Sequence, residues 1–289
     1  SDAVVSNSDG FVKKFDQLPI DPEFKKSFGN LGQRFVGINS ALDNDRWNPV
    51  NDEFIQQPFD TSTINLKAGN KTALQQRFNL PETSIPITIT IFDNVTQYND
   101  DSELIQSSLL DELLQKSGCQ LIACCETVQP SRVLLDLMNK YPEQLAICTQ
   151  PGESDLHYLI AGSDAAVFSN EKRVTRLLPE ACLRYGTVPV LSNSMNNNAG
   201  LVDATSENLM QNKANAYLYH STLLGEILPV MQRMTKYYQR KGPWWKKFAA
   251  TGMQHKNPDQ QTLIKSAHQY LECYQFAIDN PASNPDQKT

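Results

Sequence analysis

The sequence is poor in the features that announce a nucleic-acid, membrane or metal protein. Its 26 lysines and arginines are outnumbered by 32 aspartates and glutamates, for a net charge of −6, and they gather into no stripe. A nucleic-acid or anionic-membrane partner is therefore not expected. No apolar run approaches the ~20 residues that a spanning helix needs, and no basic-then-apolar leader opens the chain, so a soluble, cytoplasmic protein without a membrane partner is expected. The six cysteines, Cys119, Cys124, Cys125, Cys148, Cys182 and Cys273, form no C-x-x-C pair, and the four histidines stand at no zinc-ligand spacing. The thiols are expected to be small buried hydrophobes in a reducing compartment, with adjacent Cys124-Cys125 worth an oxidation check. Neither a metal nor a cofactor is predicted.

What the sequence does have is alternation. Its 289 residues can bury one large core or two modest ones, and one main domain with appendages is expected. Short β-branched or apolar runs at 85–92, 120–125, 145–148, 165–168, 188–191 and 216–218 have the length of buried strands. Between them lie helical patterns at 103–116, 131–140 and 155–161, and a further helix that Thr175 can cap and Gly186 ends. Ser221 is expected to cap a long helix running to about Gln239, kinked by Pro229. Connections of this length cannot be hairpins, so the prediction is an α/β fold, a doubly wound parallel sheet with both faces covered. Residues 1–36 are polar and lightly patterned apart from Val4-Val5-Ser6 and the run from Phe35, and 280–289 look like a polar tail.

The segment 157–191 carries a more specific signal. His157, Ala161-Gly162, Asp164, Ser169, Arg184-Tyr185-Gly186-Thr187 and Pro189 match H-x-I-x-A-G-x-D…S…R-Y-G-T-x-P. In this the chain resembles the donor-nucleotide segment of bacterial glycogen synthases and plant starch synthases. A second match, Gly37 to Pro49 with Asp43 and Trp47-Asn48-Pro49, corresponds to the family's crossing into its carboxy-terminal domain. A third, Lys67-Ala68-Gly69-Asn70-Lys71-Thr72-Ala73-Leu74-Gln75, follows its K-A-x-N-K-x-x-L-Q. The resemblance implies the carboxy-terminal, Rossmann-like half of a GT-B glycosyltransferase. It also implies a division into an amino-terminal-domain remnant and crossover linker at 1–36, the Rossmann-like domain at 37–250, and a terminal helix and tail at 251–289. The chain is expected to start just before the domain crossover.

The same alignment sets the catalytic expectations. The family absorbs the charge on the departing diphosphate with an arginine and a lysine after the first strand of this domain. Those positions fall at Asn94 and Asn99, and residues 92–102 contain no arginine or lysine. The family's glycine-rich G-S-G becomes Cys124-Cys125-Glu126, and its base-stacking tyrosine becomes Pro151. Glu171 stands near the place of the family's catalytic glutamate. Lys172, Arg173, Thr175 and Arg176 gather at a helix start, a setting that favours anions, and read either as a remodelled phosphate site or as a solvated charged turn. His157 matches the motif and is read as structural.

The resemblance implies a nucleotide sugar or a glucan as ligand, and an amino-terminal GT-B half or self-association as protein partner. The exchanged residues favour a degenerate domain acting as a binding or scaffolding module. The alternatives are an active glycosyltransferase half that needs its amino-terminal half, and an interaction protein that binds no nucleotide.

Overall fold

The computed structural model describes residues 2–6, 12–13, 15–17, 21–91, 100–125, 128–168, 177–193, 200–220, 226–240, 242–255 and 263–281. Their contacts divide the chain into two units, Ser1–Asp43 with Asp259–Thr289, and Asn44–Pro258.

In the first unit, strand β1 (Val4–Ser6) pairs in parallel with β2 (Phe35–Gly37), Val4 opposite Phe35. Parallel neighbours need a crossover, and helix α1 (Pro22–Gly29) lies within it. The Asp21 carboxylate accepts from the backbone N–H groups of Glu23 and Phe24 at 2.8 and 3.2 Å, and Pro22 takes the first helical position, where no N–H is needed. Phe15, Phe24, Phe28 and Phe35 close the unit as an aromatic cluster. The region that reads as lightly patterned thus holds a capped helix.

The second unit is built on six strands, β3 (Ile87–Ile91), β4 (Gln120–Cys125), β5 (Leu145–Thr149), β6 (Ala165–Phe168), β7 (Val188–Ser192) and β8 (Tyr217–Tyr219). The helices are α2 (Lys67–Arg77), α3 (Asp100–Lys116), α4 (Arg132–Lys140), α5 (Glu153–Gly162), α6 (Leu177–Arg184), α7 (Ser206–Met210), α8 (Ile227–Arg240) and α9 (Gly242–Met253). All six strands are parallel, in the order β5-β4-β3-β6-β7-β8. Counted from β3, that is the 3-2-1-4-5-6 order of the dinucleotide-binding sheet.

Strand alternation assigns the layers. Leu121, Ala123, Ala165, Val167, Val188 and Val190 point into one core with Leu110, Leu113, Leu134, Leu137, Met231 and Met234 from α3, α4 and α8. The opposite face is covered by α2, α5 and α6, with α5 against β3 and α6 against β6 and β7. Gly162 permits the close packing of α5 on α2: a Cβ there would lie 2.6 Å from Leu74 Cβ and 2.8 Å from the Asn70 carbonyl oxygen. Gly186 adopts φ +62° just beyond α6, the left-handed conformation that ends a helix at least cost in glycine.

Pro229, expected to kink the helix interior, occupies the first turn of α8, which begins at Ile227, where the missing N–H has no intrahelical role and no kink is called for. Ser221, expected to cap that helix, lies outside the described residues.

The last helix, α10 (Leu263–Asp279), belongs to the first unit. Ser266 and Cys273 are buried, and Ser266 Oγ donates to the Asn39 carbonyl at 3.1 Å. Ile264, Leu271, Tyr274 and Ile278 fall within roughly 80° on the opposite side at 100° per residue. They are 71, 62, 59 and 72% exposed. Among the described residues no helix is long and apolar enough to cross a membrane.

Candidate functional site

The strand order reverses between β3 and β6, and in open α/β sheets ligands bind in the crevice outside the carboxyl ends of the strands at such a reversal. Ile91 and Phe168, the last residues of these two strands, are register partners. Asn94 and Asn99 follow β3, and Glu171, Lys172, Arg173, Thr175 and Arg176 follow β6; all seven lie outside the described residues, as does Glu126. Tyr219 of β8 braces the β6 end, its hydroxyl donating to the Phe168 carbonyl at 3.0 Å.

The neighbouring strand ends are described in full. Cys124 and Cys125 close β4, 4 and 7% exposed. The N–H of Gln150 donates to the Cys125 carbonyl at 2.6 Å, and Gln150 turns the chain out of β5 with φ +46°. Pro151 follows, half-buried at the entrance to α5. Its pyrrolidine ring replaces the aromatic side chain expected from the resemblance.

The start of α5 is occupied by carboxylates. Gly152 N–H donates to Asp155 Oδ2 at 3.0 Å, Asp155 pairs with Arg77 at 2.5 Å, and Glu153 forms a two-point pair with Arg46, Nη2 to Oε2 at 2.7 Å. The positive end of the helix dipole is thus already answered by the chain's own acids, which disfavours a phosphate at this helix.

The family-motif residues that are kept sit in buried networks behind the crevice. Lys71 Nζ donates to Asp164 Oδ2 at 2.8 Å, to the Ile85 carbonyl at 2.5 Å and to Tyr238 Oη at 3.0 Å. Asp164 Oδ2 also accepts from Ile87 N–H at 2.9 Å, which ties α2 and the β6 entrance to the start of β3. Lys67 Nζ reaches the carbonyls of Ile160 and Ala161 at 3.2 and 2.8 Å and Thr187 Oγ1 at 2.9 Å, so it caps the carboxyl end of α5. Among the described residues it touches no carboxylate. Burial consequently lowers its ammonium to a pKa of about 7 despite the opposing field of Asp164.

His157 lies in a third network. Its Nδ1 is 2.8 Å from Asp52 Oδ2, the Tyr185 hydroxyl donates to the same oxygen at 2.5 Å, and Trp47 stacks on the imidazole at 3.7 Å. Burial raises the Asp52 carboxyl, but donors from His157, Tyr185 and the Phe54 N–H outweigh it and hold the group below its ordinary value. His157 Nε2 is buried without a partner among the described residues. This triad has the residue types of a proton relay, yet it is sealed from solvent and binds the 47–52 loop to α5 and the end of α6. Sequence reasoning singled out neither Asp52 nor Lys67 for these roles, since their partners stand about a hundred residues away. Among the described residues no three His, Cys, Asp or Glu side chains gather as a metal site.

No family model matches the chain. Among solved structures it is similar to the catalytic domain of starch synthase IV from Arabidopsis thaliana, bound to ADP and acarbose. The TM-score is 0.74 at 19% identity, over 96% of this chain and 56% of that one. The fold is the carboxy-terminal, Rossmann-like half of a GT-B glycosyltransferase. Among curated relatives, glycogen synthase 2 of Nitrosococcus oceani is 31% identical over 247 residues, 85% of this chain and 49% of the relative. Glycogen synthase of Mannheimia succiniciproducens is 27% identical over 253 residues, 85% and 51% respectively. The chain is a glycogen/starch synthase-like domain, and it spans about half the length of the curated relatives it matches.

Proposed function

We propose that this domain is the nucleotide-sugar-binding half of a glycogen/starch synthase-like glycosyltransferase that has lost independent transfer activity and works as a binding or scaffolding module. One observation carries the reading, a partition of the motif residues. Those retained, Lys67, Lys71, His157, Asp164 and Tyr185, are buried in the scaffold. Those exchanged, Cys124, Cys125 and Pro151, stand at or just beyond strand ends, and residues 92–102 contain no arginine or lysine. Transfer from a sugar nucleotide needs positive charge against the departing diphosphate, and loss of one such donor typically costs roughly 10²–10³ in rate. Glu171 and the Lys172, Arg173, Thr175, Arg176 cluster are the remaining candidates for sugar and phosphate.

The test combines binding with turnover. ADP is the nucleotide in the starch synthase structure, so ADP-glucose and UDP-glucose are titrated in a thermal-shift assay, with and without Arg173→Ala plus Arg176→Ala. Transfer to a maltooligosaccharide is then measured after adding the amino-terminal half of an active synthase. Stabilisation that the double variant abolishes, with no turnover even in Asn94→Arg plus Asn99→Lys, is the expected result. Turnover by the reconstituted wild type at an ordinary synthase rate overturns degeneracy. It would favour the second reading, an active half completed by an amino-terminal half, for which the doubled length of the relatives and the exposed stripe of α10 speak.

A further inference from the structure

Alternation along β4 sends Cys124 and Cys125 to opposite faces of the sheet. Cys125 joins the core cluster of Leu121, Ala123 and Leu145. Cys124 faces the α2 and α5 side, directly opposite Cys148 of β5 in the parallel ladder. In-register neighbours on adjacent strands are about 4.8 Å apart, inside the roughly 4.4–6.8 Å between Cα atoms that a disulfide spans. The Cys124 S–H, whose carbonyl acceptor is Ile122 at 4.0 Å, also lies within reach of the Cys148 sulfur.

Their surroundings are unequal. Cys124 is buried, whereas Cys148 is half-buried on β5, the edge strand of the sheet. The hydrogen bond from Cys124 lowers the Cys148 thiol; burial and Asp155 oppose this, and Arg77 assists it. The same bond, together with burial, keeps Cys124 protonated. Cys148 is therefore the more accessible and the more readily ionised sulfur of the pair, with Cys124 buried beside it.

We propose that Cys124 and Cys148 are an oxidation site in which a peroxide converts the pair to a disulfide across β4 and β5. The Cys148 thiolate attacks one peroxide oxygen, the O–O bond breaks, and the departing hydroxide recovers from solvent the proton that Cys148 released and leaves as water. This leaves a sulfenic acid on Cys148 and removes the negative charge that held the Cys124 proton. The Cys124 sulfur then attacks Cys148 Sγ, the S–O bond breaks, and the hydroxyl leaves with the Cys124 proton as a second water. Two thiols have lost two electrons in total and the peroxide has gained them. The bridge fastens the ends of β4 and β5, where the Cys125 carbonyl already receives the Gln150 N–H. The site stands without the nucleotide reading.

The experiment treats the full chain with graded hydrogen peroxide, blocks free thiols with N-ethylmaleimide and maps tryptic peptides without reduction. Cleavage at Arg132 and Lys140 separates the two cysteines, so a bridge appears as a linked peptide pair. The expected result is a Cys124–Cys148 link, reversed by dithiothreitol, with Cys148 oxidised about tenfold or more faster than the buried Cys182. Cys125→Ser should keep the link, and Cys124→Ser should replace it with a dimedone-trapped sulfenic acid on Cys148. A link that persists in Cys124→Ser, or a wild-type Cys148 oxidised no faster than Cys182, overturns the proposal.

Discussion

Lys71 Nζ and Asp164 Oδ2 meet at 2.8 Å with both side chains only 11% exposed, and they join α2 to the residue that precedes β6. Removing one partner of a buried pair leaves an uncompensated charge, so Lys71→Met should cost about 3–5 kcal/mol. Asp164→Asn should cost less, because its amide oxygen can still accept from Ile87 N–H. Urea denaturation of both variants and of the double variant measures the coupling, expected to exceed ~1 kcal/mol. Additive single effects would mean that the pair contributes nothing as a pair.

Lys67 imposes a pH dependence of unusual sign for a lysine with partners. Its folded pKa is lowered to about 7, so between there and its ordinary value of 10.5 the unfolded chain binds more protons than the folded one. Its stability penalty is full below pH 7 and is relieved as pH rises toward 10.5, with a slope of at most ~1.4 kcal/mol per pH unit. Denaturation midpoints of the wild type minus those of Lys67→Met should climb across this window. A flat difference curve would show that the ammonium is not destabilised.

Asp52 works in the other direction. Its carboxyl is lowered in the folded state, so its contribution is whole above the ordinary carboxylate pKa and fades as pH drops below about 4 through the folded value. Tyr185→Phe removes a hydrogen bond to a charged group and should cost about 1.5–3 kcal/mol at neutral pH. It should also move the onset of acid unfolding to higher pH. Circular dichroism during acid titration would expose an unchanged onset, which contradicts the assignment.

The α10 stripe predicts association. Four large apolar side chains lie on one exposed side of a single helix, and burying each is worth about 1.5–3 kcal/mol. Sedimentation should find the isolated chain self-associating at micromolar concentration. Leu271→Ser with Ile278→Ser should weaken this at least about tenfold and leave the helical content intact. A strictly monomeric wild type would count against a covering partner.

Strands were legible because each is a short apolar run with clear ends. Gln120–Cys125 and Ala165–Phe168 appear in the structure with the limits that their hydropathy suggests. α1 is hard to read from sequence although Asp21-Pro22 is a sound start signal, because few apolar residues follow it. α7 was too short for periodicity to register, leaving only its Thr205 cap as a sign. The role of Pro229 is not legible in the sequence, because the helix start, which decides whether a proline kinks or initiates, is the least certain boundary. At the site, the exchanged residues could be identified by alignment, but Lys67 with Thr187 and Asp52 with His157 could not. Only the folded sheet brings such distant positions within hydrogen-bond reach.

The reversal of strand order between β3 and β6 also dictates a schedule of assembly. β3, β4 and β5 are linked through single intervening helices, whereas β3 meets β6 only across that whole segment, and closing the longer loop is slower. The β3–β5 half-sheet can condense while later chain is still emerging from the ribosome. The crevice cannot exist until Ala165–Phe168 has docked along Ile87–Ile91. A ligand held there would act as a clasp on the last join of the fold, marking chains whose two half-sheets have closed.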